Sequence, residues 1–231
     1  MKANGVEFGF LEAGNGPLAL CLHGFPDSAH TWRHLLPALA DAGFHAVAPF
    51  MRGYAPTSLA PDGAYDLDVL AADAVALHEA LGGDEGAVLI GHDWGAEAAY
   101  GAAARAPRRW RKVVAIGVPP SSLDDRMLGD YDQLRRMFYA FFFQTPGAEV
   151  VVAADDMAFL DRLWRDWSPD YRADEDLPQV KRCLRDPANL AAAIGYYRAG
   201  ASGAEGSDPA VPPSPRSTST ATATGASTSR S

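Results

Sequence analysis

The chain has 231 residues, a hydrophobic fraction of 48% and a net charge of −9, which allow one or two globular domains and argue against a nucleic-acid partner. Its two cysteines are too few for a disulfide framework and suit a reducing, cytoplasmic environment. The first residues start no secretory segment and no apolar run is long enough to span a bilayer, so we expect no membrane association.

Strand and helix patterns alternate over the first 118 residues. Strands are predicted at 6–11, 18–22, 44–48, 87–90 and 112–117, and helices at 32–43, 67–81 and 97–106. This alternation indicates βαβ units and a mostly parallel sheet, in which ligands bind at the carboxyl ends of the strands. His23, Arg52 and Asp93 each follow a predicted strand. We therefore expect these three residues at one edge of the sheet.

The segment Gly91-His92-Asp93-Trp94-Gly95 joins a predicted strand to a predicted helix. It has the form of a nucleophile elbow, G-x-S-x-G, with aspartate in the place of serine. An aspartate can attack an alkyl carbon and form an ester, which divides one difficult displacement into two easier steps. The alternative is an aspartate in a tight turn that caps the next helix.

The pattern changes after residue 118. Four helical patterns follow without a strand between them, at 130–144, 153–167, 177–185 and 188–199, and they predict a helical cap over residues 119–200. From residue 201 to residue 231 the chain is mostly Ser, Thr, Ala, Gly and Pro. Such a segment buries too little apolar surface to offset its ordering entropy, so we expect a disordered tail.

Three motifs in this order resemble the α/β-hydrolase superfamily, and within it the epoxide-hydrolase-like branch. They are His23-Gly24-Phe25-Pro26, Arg52-Gly53-Tyr54-Ala55-Pro56-Thr57-Ser58 and the Gly91–Gly95 segment. The resemblance covers residues 5–198. It implies an α/β fold with a mostly parallel sheet and a helical cap, and a hydrolase that acts on a small molecule without a metal or cofactor.

The resemblance also implies roles for residues of the first and third motifs. Asp93 would be the nucleophile, and the backbone N–H groups of Phe25 and Trp94 would form the oxyanion hole. A cis Phe25–Pro26 bond would turn the Phe25 amide inward. His23, Pro26 and Trp94 would line the substrate pocket.

Two tyrosines of the predicted cap, Tyr139 and Tyr197, match the lid tyrosines with which epoxide hydrolases hold the epoxide oxygen. A phenol can donate a hydrogen bond and then a proton to a developing alkoxide. The alternative is that both rings only pack in an aromatic core. Arg52 is interpreted as structural rather than catalytic.

Two other functions stay open. Haloalkane or haloacid dehalogenases would share the aspartate nucleophile and need indole or amide donors to a halide. Trp94 is one such donor, and a second cannot be named. The other possibility is an inactive fragment with at most a binding role. Substrate identity, stereochemistry and oligomeric state are not indicated by the sequence.

The family also needs a histidine base and an acid that follow the cap. All six histidines lie before residue 93, so we expect this pair and the later strands of the sheet to be missing and the activity to be impaired. Read in another frame, codons 217–229 are compatible with a family-like strand and acid-bearing turn. We therefore hypothesise a frameshift, which resequencing of the coding DNA tests.

Overall fold

The computed structural model describes residues 1–120, 129–202 and 219–221. The strands are β1 (Lys2–Ala3), β2 (Val6–Glu7), β3 (Phe10–Ala13), β4 (Leu18–Leu22), β5 (His45–Pro49), β6 (Val88–His92), β7 (Lys112–Ile116) and β8 (Ser219–Ala221). The α-helices of the described residues are α1 (Leu35–Asp41), α2 (Leu67–Ala80), α3 (Trp94–Arg105), α4 (Tyr131–Arg136), α5 (Phe138–Phe142), α6 (Ala148–Trp167), α7 (Asp176–Leu184) and α8 (Pro187–Ser202). None of these helices is both long and apolar enough to cross a membrane.

Six strands form one sheet in the order β3-β5-β4-β6-β7-β8. The pairings from β5 to β8 are parallel and only β3 is antiparallel to its neighbour, which confirms the predicted mostly parallel sheet. All five residues of β4 are buried, as a continuous apolar run predicts for a strand covered on both faces. The predicted helix cap at Asp66 is also present, since its side chain accepts a hydrogen bond from the Val69 amide at 3.0 Å.

The prediction of a single strand over residues 6–11 is wrong. The chain forms β2, which pairs with β1 in a separate hairpin, and then β3, which pairs with β5. Gly9 lies between them, and its amide donates to Thr57 Oγ1 at 3.1 Å instead of to a strand. A Cβ atom on Gly9 would lie 2.6 Å from the Pro56 ring. The chain at Gly9 thus packs closely on the loop of Pro56 and Thr57, and this contact separates β2 from β3.

Within the described residues, five helices, α4 to α8, follow β7, and we call residues 130–202 the helical segment. The predicted helix over 130–144 is divided at Met137, where the backbone leaves helical geometry. The predicted helix over 153–167 begins earlier, at Ala148, and contains a left-handed kink because Asp155, Asp156 and Met157 have positive φ angles. Sequence periodicity does not report such a kink, since both halves keep helical spacing.

The helical segment is fastened to the loops at the carboxyl ends of the strands. Tyr196 Oη donates to the Arg52 carbonyl and Asn189 Nδ2 to the Gly53 carbonyl, each at 2.6 Å. Trp164 Nε1 donates to the Pro26 carbonyl at 2.8 Å. The helical segment therefore covers the sheet edge at which ligands of such folds bind.

Two parts of the predicted disordered tail have regular backbone structure, so that prediction is wrong at these positions. Helix α8 continues to Ser202, and β8 adds in parallel to β7, with Ser219 opposite Val114. Without β8, the edge of β7 would present a row of unpaired backbone groups. A short segment can pair with such an edge through its backbone alone, so its side chains give little sign of it. The other residues of the tail, and residues 121–128 of the predicted cap, lie outside the described residues.

Candidate active site

Asp93 stands at the tip of a sharp turn between β6 and α3. Its backbone has φ 54° and ψ −122°, a conformation that non-glycine residues rarely adopt and that is often stored at functional sites. A Cβ atom on Gly91 would overlap the Gly95 carbonyl, and one on Gly95 would overlap the Leu22 carbonyl. The side chain of Asp93 makes no capping hydrogen bond to α3, so the alternative of a mere helix cap does not fit.

Two backbone amides converge on the Asp93 carboxylate. The Phe25 amide donates to Asp93 Oδ1 at 2.8 Å, and the amide of the next residue, Trp94, also favours the charged form of the carboxyl group. The Phe25–Pro26 bond is cis, as the motif predicts. Gly24 is needed for this approach because a Cβ atom there would overlap the Asp93 side chain. The two amides predicted as oxyanion donors thus face the predicted nucleophile.

The charge state of Asp93 is set by opposing effects. Removal from water raises its pKa, whereas the nearby His92 and the two amides favour the carboxylate and lower it. The net direction is upward. The carboxyl group is therefore poorly solvated, and its charged form depends on the two amides and on His92 rather than on water.

Tyr139 on α5 and Tyr197 on α8 lie above Asp93, with ring centroids 5.6 Å apart. Burial raises the pKa of both phenols, and the charge of Asp93 raises it further, so both phenols stay protonated beside the carboxylate. The rings of Trp94 and Phe25 pack edge-on against Tyr197, at 5.0 and 5.5 Å. The structure therefore brings together the five residues predicted for nucleophile, oxyanion hole and phenols.

Two buried polar groups in this aromatic cluster, Trp94 Nε1 and Tyr197 Oη, make no hydrogen bond of ordinary geometry in the described part of the chain. The two groups nevertheless lie close enough for Trp94 to oppose the rise of the Tyr197 pKa. Buried donors are nearly always paired in folded proteins, so these two groups, which have at most each other, are candidates for contact with a ligand.

His23 does not have the predicted position against a substrate. Its ring is fully buried, Nε2 accepts from the Met51 amide and Nδ1 donates to the Gly24 carbonyl, both at 2.9 Å. Burial lowers its pKa to about 4, so the ring is neutral. Both ring nitrogens are occupied, and His23 instead connects the loop of Gly24 to the loop of Met51.

Pro26 is buried, and its carbonyl is taken by Trp164. Arg52 has the structural role predicted for it. Its side chain is 2% exposed and forms a two-pronged pair with Asp73, with nitrogen–oxygen distances of 2.6 and 2.7 Å. A guanidinium held in this way is not available to a substrate.

Sequence reasoning did not select Asp27 or Tyr54. Asp27 is buried directly after Pro26, and burial raises the pKa of its carboxyl to about 7 although the Ser28 amide opposes this. Tyr54 is buried, and its hydroxyl has no hydrogen-bond partner among the residues that the structure describes. The sequence offered only their positions as a signal: Asp27 directly follows the His23–Pro26 motif, and Tyr54 lies within the Arg52–Ser58 motif. An aspartate at such a position is equally typical of an ordinary turn.

None of the six histidines, all within the described residues, hydrogen-bonds the Asp93 carboxylate. Three of them are engaged elsewhere: His23 as above, His45 with Glu12 at 2.8 Å and His78 with the Asp84 carbonyl at 3.1 Å. The arrangement around Asp93 thus combines a carboxyl group, two backbone amides and two phenols, and includes no histidine as a hydrogen-bond partner of the carboxyl group among the described residues.

Comparison with known proteins places this geometry in a family context. A family model described as the alpha/beta hydrolase fold matches residues 17–181. Epoxide hydrolase A of Mycobacterium tuberculosis is 40% identical over 159 residues, which are 64% of this chain and 47% of that protein. The AB hydrolase superfamily protein YfhM of Bacillus subtilis is 32% identical over 206 residues, which are 86% of this chain and 71% of that protein.

Among solved structures, the crystal structure of an epoxide hydrolase of Bacillus megaterium in complex with an inhibitor superposes with a TM-score of 0.76 at 29% identity. The match covers 86% of this chain and 70% of that one. The chain spans about half the length of the Mycobacterium relative.

Proposed function

Because the chain belongs to the α/β-hydrolase family, we propose that it opens epoxides to diols through an ester on Asp93. One arrangement carries the proposal: Asp93 accepts a hydrogen bond from the Phe25 amide at 2.8 Å, and the rings of Tyr139 and Tyr197 lie 6.5 and 5.5 Å from the Phe25 ring. The similarity to proteins named epoxide hydrolases supports the same substrate class. The helical segment would act as the cap that encloses the substrate.

In the first step, an Asp93 oxygen attacks one epoxide carbon as the bond from that carbon to the ring oxygen breaks. The ring oxygen gains negative charge and takes a proton from Tyr139 or Tyr197. A phenol with a raised pKa stays protonated until the alkoxide forms, which suits a general acid that acts late. The surrounding rings of Phe25 and Trp94 exclude water and strengthen these interactions.

In the second step, water attacks the carbonyl carbon of the ester. The negative charge that develops on the Asp93 oxygen is bound by the Phe25 and Trp94 amides. Collapse of this intermediate breaks the ester bond and returns the carboxylate. Of the two protons of the water, one goes to the departing alkoxide, which leaves as the diol, and the other restores the phenol that gave its proton in the first step. The attacking water must lose a proton to a base, and the family's histidine would follow the cap, whereas the histidines here precede residue 93. We therefore propose that this chain forms the ester faster than it hydrolyses it.

Incubation with styrene oxide followed by intact mass spectrometry tests the proposal. We expect the protein to gain the mass of one styrene oxide, located on Asp93 by peptide mapping, with little diol released. Asp93→Ala is the control that must form no adduct. Steady diol production would refute the proposed stall, and absence of both adduct and diol from folded protein would refute the proposed function.

A second candidate, dehalogenation of alkyl halides, is favoured by one observation. The indole Nε1 of Trp94 is buried, follows Asp93 in the chain and makes no hydrogen bond of ordinary geometry within the described residues, so it is suited to bind a departing halide. It differs in its product: 1-bromobutane would release bromide and alkylate Asp93. A protein that reacts with neither compound and lacks a cooperative unfolding transition would support the inactive-fragment alternative.

A further inference from the structure

We propose that the cleft between the second half of α6 and helix α7 binds a small organic anion with a planar aromatic body. The cleft has a volume of about 840 Å³, within the usual size range of small-molecule sites. Its lining comes from residues 156–185 and includes neither Asp93 nor the two phenols. The proposal therefore stands independently of the proposed function.

The charge of the cleft is positive in a chain whose net charge is −9. Five cationic side chains and three carboxylates line it. The three carboxylates pair with three of the cations: Asp174 with Arg172 at 3.1 Å, Asp161 with Lys181 at 2.9 Å, and Asp156 with Arg185 at 2.9 Å.

Arg165 and Arg182 remain, and neither forms an ion pair within the described residues. Arg182 donates only to the Gln179 amide oxygen, at 2.8 Å. A guanidinium presents N–H donors in a fork that matches a carboxylate or sulfonate. Two such groups at one cleft provide the charge that an anionic ligand needs.

The aromatic part of the proposal rests on Trp164 and Tyr171. Their ring centroids are 6.1 Å apart, the planes are inclined by 41°, and Tyr171 is 51% exposed. The polar end of each ring is already bonded, since Trp164 Nε1 donates to the Pro26 carbonyl at 2.8 Å and Tyr171 Oη to Asp176 at 2.6 Å. The rings are thus held in place, and a flat ligand would pack on them with little loss of side-chain entropy.

Isothermal titration calorimetry with 2-naphthoate tests the site. We expect saturable binding of one molecule to the full chain, weaker in high salt because exposed charges are screened. The double variant Arg165→Glu, Arg182→Glu should bind at least about tenfold more weakly. Arg162→Glu is the matched control, since Arg162 is exposed on the same helix but does not line the cleft, and it should bind like the unmodified chain.

Three results would overturn the proposal. They are no saturable binding to the unmodified chain, equal binding by the double variant and the control, and equal binding of the neutral analogue 2-naphthalenemethanol. Thermal unfolding followed by circular dichroism verifies that the variants are folded. Tyr171→Ala gives a second measurement that changes no charge, and it should weaken binding of the same probe.

Discussion

Substitution of Arg52 by methionine tests the account of the ion pair beneath the site. Arg52 and Asp73 are 2% and 5% exposed, and their two hydrogen bonds measure 2.6 and 2.7 Å. Without the guanidinium, the buried carboxylate keeps only the amide of Asn4, at 2.7 Å. Breaking a buried pair in this way costs about 3–5 kcal/mol, a large part of the stability of an ordinary domain.

The assay is thermal and urea unfolding followed by circular dichroism. For a chain of this length the loss corresponds to a lowering of Tm by about 6–20 °C. Arg52→Lys, which keeps the charge but not the fork, should lose less. Replacing both partners, Arg52→Met with Asp73→Leu, should recover most of the loss because no unpaired charge remains.

The loss should also depend on pH. Burial already raises the pKa of Asp73, and Arg52 opposes that rise, so the pKa rises further in Arg52→Met. A carboxyl whose pKa is higher in the folded than in the unfolded state makes the folded state bind more protons, and the free energy of unfolding then increases as pH falls. The loss of unfolding free energy caused by Arg52→Met should therefore be smaller at about pH 5 than at about pH 7. A deficit below about 1 kcal/mol, or one independent of pH, would refute the reasoning.

Three further predictions concern the site. Gly24→Ala should abolish alkylation of Asp93 by styrene oxide while the chain still unfolds cooperatively, because the added methyl group overlaps the Asp93 side chain; adduct formation at the unmodified rate would contradict this. Tyr139→Phe and Tyr197→Phe should each slow adduct formation by about 100-fold or more, the usual contribution of a general acid, with Tyr131→Phe, at an exposed tyrosine, as the control measured by the same mass assay. Burial raises the pKa of Asp27 to about 7, so the folded state binds a proton that the unfolded state releases near pH 4, and the free energy of unfolding should decrease as the pH rises from about 4 to about 7. Asp27→Asn should reduce this pH dependence in urea titrations. An unchanged pH dependence would show that the Asp27 carboxyl titrates normally.

The backbone features around the candidate site that the sequence predicts, the sharp turn at Asp93 and the cis Phe25–Pro26 bond, depend on local geometry. The turn at Asp93 needs glycine at two nearby positions, and a cis bond before Pro26 is accessible only because that residue is proline. Both requirements are written in a few adjacent residues, so they can be recognised without knowledge of the rest of the chain. The buried strand β4 and the cap at Asp66 are local in the same sense.

The errors arise where distant segments decide the outcome. His23 was expected to touch a substrate, but its ring accepts from the amide of Met51, 28 residues away. The split of the first strand depends on the approach of Gly9 to Pro56, and β8 depends on the open edge of β7. Neither contact leaves a periodic signal in the sequence. The kink at Asp155–Met157 is invisible for another reason, since apolar spacing is preserved on both sides of it.

The two phenols above Asp93 are positioned through one connected set of hydrogen bonds. Tyr197 follows Tyr196, whose hydroxyl donates to the Arg52 carbonyl, and Asn189 on the same helix donates to the Gly53 carbonyl. The end of α5, the helix that carries Tyr139, is tied to α8 in turn, because Arg198 Nε donates to the Phe143 carbonyl at 2.9 Å and Gln144 Nε2 to the Tyr197 carbonyl at 3.0 Å. The spacing of the two phenols therefore depends on the loop of Arg52 and Gly53, which neither phenol contacts through a hydrogen bond of its own in the described residues.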